Sequence, residues 1–300
     1  MKRNFLLLSV LLFVAEFSNG QAYTFKVLAN RGDNKVKTGQ EWKPIKTGAS
    51  LNSQDELSVS SNAYLGLVHA SGRTMELRDA GNHKVADLAK KVSQGGSSVA
   101  SKYADFVLSK MSAEGKKNRL SATGAVHRGL GDPINIYLPN AIAEVYGAKT
   151  ILRWDSAENA QVYQVTLKNM FEDTLLEIET NQSSVELDMS DEKLAKENVL
   201  LIEVVNKNDP TAKPKAKAIR KLNADKTAEV KTQLAGLMEG VEEETALNKY
   251  ILAGFFEEND LLADALTSYE EAIQLAPGVS TFKEAYEEFL YRNGMKSINN

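Results

Sequence analysis

Cysteine is missing from all 300 residues. Its absence excludes a disulfide framework, a thiol nucleophile and a cysteine-borne lipid anchor. Histidine is scarce: only His69, His83 and His127 occur, and none pairs at the i, i+4 spacing that sets two imidazoles on one metal. Neither a G-x-S-x-G elbow nor an H-E-x-x-H run is present, so the common motifs of serine and zinc hydrolases are lacking. The stretch Gly124-x-x-x-x-Gly129-x-Gly131 lacks the Lys-Ser/Thr pair of a phosphate loop and is read as a flexible turn. Carboxylate chemistry remains. Asp55, Glu56 and Glu76 fall in a strand-rich region where two acids could approach to the roughly 5–10 Å used in glycoside hydrolysis. Strand-end acids are also ordinary on exposed sheet faces. The expectation is a protein that is not an enzyme and needs no cofactor and no metal.

Long hydrophobic runs are lacking too. The longest, Phe5 to Ala15, falls short of the roughly 20 apolar residues that span a bilayer. Lys2 and Arg3 precede it and the small residues Ser18 and Gly20 follow it, which predicts a cleavable secretory signal over residues 1–20. No later segment approaches spanning length, so no membrane span is expected. Export without a single cysteine points to a bacterial envelope protein, periplasmic or at the cell surface.

Charge is present but unevenly placed. Residues 225–300 carry 15 acidic and 6 basic side chains, net −9 against −4 for the whole chain, so residues 1–224 sum to +5. That excess is small and dispersed, which argues against a nucleic-acid partner. The acidic end is either a solvated helical surface or a face for a basic partner.

Three regions follow the signal. Tyr23–Ala29, Glu56–Val59, Tyr64–Val68 and Thr74–Leu77 are short runs between Gly, Asn, Asp and Ser turn clusters, the pattern of a small β module. Val99, Tyr103, Phe106, Val107 and Lys110 then stand at helical spacing and predict a helix packed on that module. Residues 112–132, rich in glycine and basic side chains, predict a linker between a first domain over 21–111 and a second over 133–224. In the second, strands are expected at Thr150–Trp154, Val162–Leu167, Leu175–Glu179, Ser184–Leu187 and Val199–Val205. The basic run Lys213-Pro214-Lys215-Ala216-Lys217 with Arg220 and Lys221 predicts a hairpin tip and a last edge strand, where lysine and proline oppose aggregation. From 225 the period becomes helical, with four apolar stripes, a capping box at Thr281-x-x-Glu284 and Gly294 to end the last helix.

Three resemblances lie in these residues. Gly32, Trp42, Gly48, Leu51, Asp55-Glu56-Leu57, Ala63 to Leu67, Gly72 and Met75-Glu76-Leu77 resemble the extracytoplasmic FecR-type domain, with Gln54 where that family has glycine. The resemblance implies a β-rich envelope module without a catalytic site. Trp154 with Tyr163 nine residues on is similar to the early strands of fibronectin-type sandwiches, without their customary prolines. Leu252, Ala253, Phe256, Ala265, Tyr269, Ala272 and Pro277 fall at the positions of one tetratricopeptide-type hairpin. The expected fold is therefore multidomain α+β: a FecR-like module, a fibronectin-like sandwich and a tetratricopeptide-like helical region. Such hairpins bind proteins, which makes Phe256, Tyr269, Glu257 and Glu258 the candidate contact residues for another envelope protein. The alternative is a glycan- or peptidoglycan-binding module built on Trp42, Tyr64 and Trp154.

Overall fold

The computed structural model describes residues 23–92, 98–111, 134–139, 142–157, 160–209, 215–239 and 244–296. The expected signal, the linker, His127 and Lys213-Pro214 lie outside them. Among the described residues the chain is mixed α+β, with four sheets in its N-terminal and central parts and seven helices, four of them at the C-terminal end.

The N-terminal part contains β1 (Phe25–Arg31), β2 (Lys35–Thr38), β3 (Glu41–Pro44), β4 (Ser50–Leu51), β5 (Glu56–Val59), β6 (Tyr64–His69), β7 (Thr74–Leu77) and β8 (Gly81–Lys84). They form two antiparallel sheets, ordered β4-β1-β6-β7 and β3-β2-β5-β8. Alternate residues of β1 and β6, Phe25, Val27, Leu65 and Leu67, meet Leu57 and Val59 of β5 and Leu88 of helix α1 (Val85–Lys91) in one apolar core. The register of β1 shifts between Val27 and Ala29. Beyond it Leu28, Ala29, Tyr64 and Val68 enter a second core shared with the C-terminal helices. Burial on both faces is why β6 reads as a continuous apolar run rather than an alternating one.

Helix α2 (Ser98–Met111) departs from expectation. Its buried stripe, Ala100, Tyr103, Ala104 and Val107, belongs to the helical core, and only a minor contact reaches β6. Close approach requires a glycine: a Cβ on Gly254 would stand 2.6 Å from Val107 Cγ1 and 3.3 Å from the Tyr103 carbonyl.

The central part has β9 (Ala143–Val145), β10 (Lys149–Arg153), β11 (Tyr163–Lys168), β12 (Thr174–Thr180), β13 (Ser184–Asp188), the short helix α3 (Glu192–Ala195), β14 (Val199–Asn206) and β15 (Lys217–Lys221). The pair β10-β13 shares one core with the five-stranded sheet β12-β11-β14-β15-β9, with Trp154 set edge-on to Tyr163 at 5.5 Å. The expected edge strand is interior: β15 pairs with β14 on one side and, in parallel, with β9 on the other. Lys217 is buried there and its ammonium donates to the carbonyls of Leu138 and Pro139. Burial lowers its pKa.

At the C-terminal end come α4 (Ala224–Met238), α5 (Ala246–Glu258), α6 (Leu262–Leu275) and α7 (Ser280–Arg292). Asn223 and Thr245 cap α4 and α5 by accepting from the N–H groups of Lys226 and Asn248. The expected capping box does not form. The cap of α7 is Val279, without a side-chain bond, and Thr281 lies buried in the first turn. Gly294, at φ +65°, follows the last helix as expected.

Candidate functional site

Helix α6 explains how the helical end is held to the rest. Residues 134–139 leave the outer side of β10 only partly paired: the Tyr137 N–H donates to the Arg153 carbonyl, whereas β9 pairs with β15. One face of α6 meets the Ile151 N–H of β10 and two N–H groups of the turn between β9 and β10. Asp264 accepts from the N–H groups of Tyr146 at 2.9 Å and Gly147 at 2.7 Å, and the Thr267 hydroxyl accepts from Ile151 N–H at 2.9 Å. Glu270 receives both arms of the Arg153 guanidinium, and Glu271 pairs with Lys149 and Lys249. Spacings of three place these groups on one helical stripe. Burial pushes the Asp264 carboxyl up to about 6, against the two N–H bonds that favour its charged form.

The N-terminal part is tied down in a similar way. Glu76 accepts from Leu247 N–H at 2.9 Å and from the Tyr64 hydroxyl at 2.7 Å, while Arg78 pairs with its second oxygen. The Tyr64 ring meets Phe282 edge-on. Burial, then the neighbouring Glu76 charge, raises the Tyr64 pKa far above that of a free phenol.

Three of the four candidate contact residues lie inside the helical end, and Glu258 stands at its surface. Phe256 is buried, with the Tyr146 ring 6.3 Å away. Tyr269 is enclosed by Tyr250, Tyr286 and Phe289. Glu257 receives both arms of the Arg292 guanidinium in a largely buried pair. Burial opposes the Arg292 charge, and the Glu257 carboxylate overrides that, so its pKa is held up. Glu258 pairs with Lys102 at 3.0 Å. Phe256, Tyr269 and Glu257 are thus covered by Tyr146 and α7 of the same chain, while Glu258 remains exposed.

No family model matches this chain, and no curated protein does.

The acids considered for hydrolysis are divided between the two N-terminal sheets, Asp55 and Glu56 at β5 and Glu76 in β7, and Asp55 and Glu76 are each engaged by other groups. Asp55, ahead of β5, accepts from the Thr38 hydroxyl and Asn52 N–H, while Glu76 in β7 has the partners given above. His69 Nδ1 accepts from Ser71 N–H, and burial lowers its pKa. His83 Nε2 lies 3.0 Å from the Asp79 carbonyl. Among the described residues no cluster of three or more His, Asp or Glu is placed to hold a metal, and no helix is long and apolar enough to cross a membrane.

Of the aromatic set considered for glycans, Tyr64 and Trp154 are buried. Trp42 is 40% exposed, with the Lys37 ammonium 5.9 Å from its ring. An open hollow of about 460 Å³ is lined by Ser156, Tyr163, Asn181, Gln182 and Ser183, with Arg153, already bound to Glu270, as its charged residue. Among the described residues the most exposed large apolar ones are Met170 and Phe171, at the turn joining β11 and β12. Phe171 keeps the odd-numbered register of Tyr163, Val165 and Leu167, but Asn169 breaks that alternation and Met170 falls on its polar side, so periodicity alone did not mark the pair. The signal available was the Asn-Met-Phe-Glu-Asp turn at 169–173, where an asparagine-led turn should have carried polar residues.

Proposed function

We propose that this chain is a non-enzymatic, exported bacterial envelope protein, periplasmic or cell-surface, that serves as a protein-binding adaptor or scaffold. It combines a FecR-like β module, a fibronectin-like sandwich and a tetratricopeptide-like helical region. One observation carries the reading: α6 lays a polar stripe along β10 while the N-terminus of α5 bonds to Glu76 of β7. A helical hairpin that elsewhere receives a partner here receives the two β parts of its own chain and fixes their relative orientation. Such a brace gives a scaffold a fixed geometry, and it leaves partner contact to surfaces that the brace does not cover.

The test is capture from native envelopes after mild crosslinking, using the intact mature chain. Recovery of one envelope protein in near-stoichiometric amount, with no hydrolysis of envelope glycans, is the expected result. Recovery of nothing beyond the chain itself counts against the adaptor. The glycan reading retains Trp42 beside Lys37 as its support. It predicts cosedimentation with purified peptidoglycan that Trp42→Ala abolishes, and sedimentation unchanged by that substitution removes it.

A further inference from the structure

The turn between β11 and β12 holds Met170 at 66% and Phe171 at 87% exposure. The turn is fixed from inside. Asn169 is buried, and its side-chain oxygen accepts from the N–H groups of Phe171 at 2.9 Å and Asp173 at 3.0 Å. Its amide donates to the Asp173 carboxylate at 3.0 Å, its own N–H donates to the Asp173 carbonyl, and Glu172 N–H returns to the Asn169 carbonyl. Glu172 holds the left-handed corner at φ +66°. None of these bonds uses the side chain of Met170 or Phe171. A polar pair would close the same turn, so the two apolar side chains add nothing to its folding and place a large hydrophobic surface in water.

The chemistry around the point is one-sided. Glu172 and Asp173 are exposed beside it, and the nearest cation along the strand, Lys168, is paired with Glu203 at 2.8 Å. β12 is the outer strand on the side of the sheet away from β9, the strand that lies against α6. The point therefore stands at the edge remote from the helical brace.

We propose that the Met170–Phe171 tip is the protein-docking element of this chain and inserts into an apolar pocket rimmed by lysine or arginine on a partner protein. Methionine and aromatic residues are the side chains most enriched at the buried centres of such contacts. A turn already fixed by its own hydrogen bonds loses little conformational freedom on insertion. The two carboxylates complement a cationic rim and disfavour an anionic lipid surface. The proposal rests on the adaptor reading and moves its contact from the helical end to the central sheet.

The test places a photo-crosslinking phenylalanine at position 171 of the mature chain, and in separate chains at the other exposed apolar positions Trp42 and Ile142, within native envelopes. The protein captured at 171 is then purified and titrated with the wild-type chain, with Met170→Ser/Phe171→Ser and with Glu172→Lys. The expected result is an adduct at 171 and an affinity about tenfold or more weaker for the double serine variant. Affinity should also fall with salt, less steeply for Glu172→Lys than for wild type. Unchanged melting of the variants separates this from misfolding. Equal affinities overturn the proposal, as does Phe171-dependent binding to vesicles containing phosphatidylglycerol or a Phe171-dependent dimer in sedimentation velocity. Adducts at 42 or 142 without one at 171 overturn the tip and leave the adaptor standing. No adduct at any position removes both.

Discussion

Asp264 carries a carboxylate into a space almost closed to water, where two backbone N–H groups are its partners. In the unfolded chain the group titrates near 3.8 and in the folded chain near 6. Between those values the folded chain holds the extra proton. Its contribution to stability is therefore fully present below the unfolded value and is lost as pH rises through the folded one, a change of roughly 3 kcal/mol. Asp264→Asn removes that titration. Urea unfolding of both proteins between about pH 4 and about pH 7 should show the wild type losing roughly 2 kcal/mol more than the variant, and equal slopes would contradict the assignment. The pair Glu257 and Arg292 makes a second prediction at this scale. Arg292→Met strands a buried carboxylate and should cost about 3–5 kcal/mol, whereas adding Glu257→Leu should restore most of it. The check is a double-mutant cycle by urea unfolding, in which purely additive losses would count against a coupled pair.

At the scale of elements, α6 substitutes for a strand along part of β10. The Thr267 hydroxyl accepts from Ile151 N–H and donates to the Ala263 carbonyl. Thr267→Val keeps the shape and orphans the Ile151 donor, which should cost about 1–3 kcal/mol and speed amide exchange at Ile151 with little effect at Ile202, deep in β14. Unchanged exchange at Ile151 would mean that the helix does not protect that edge. This contact also shows what the sequence could and could not disclose. β11, β12, β13 and β14 were legible to within about two residues because their residues alternate. The strands β2, β3, β4, β8 and β9 were not, being two to four residues long and mostly polar. The stripe Asp264-Thr267-Glu270 looked like a solvated helical face, since polar residues at helical spacing look alike whether they meet water or the N–H groups of a strand. Lys217 misled in the same way, because a lysine donating to two carbonyls inside a sheet has the same letter as one guarding an edge. Tyr269 and Glu257 were legible as hairpin positions, but their enclosure was not, because it depends on α7, which lies outside the hairpin.

For the whole molecule, the helical core is continuous with the N-terminal sheet through Leu28, Ala29, Tyr64 and Val68 and touches the central part at Ile151 and Tyr137. Removing the helices would uncover both, so a chain cut after Leu222 should expose apolar surface and associate rather than report on partner binding. The helical end braces the two β parts into one cooperative unit. Its most direct measurement is urea unfolding of the intact chain, followed by helical circular dichroism, by near-ultraviolet signal from buried Trp154 and by amide exchange at Leu65 of β6. All three should change together in a single transition. A helical signal lost at a lower urea concentration, while Trp154 and Leu65 stay protected, would contradict it.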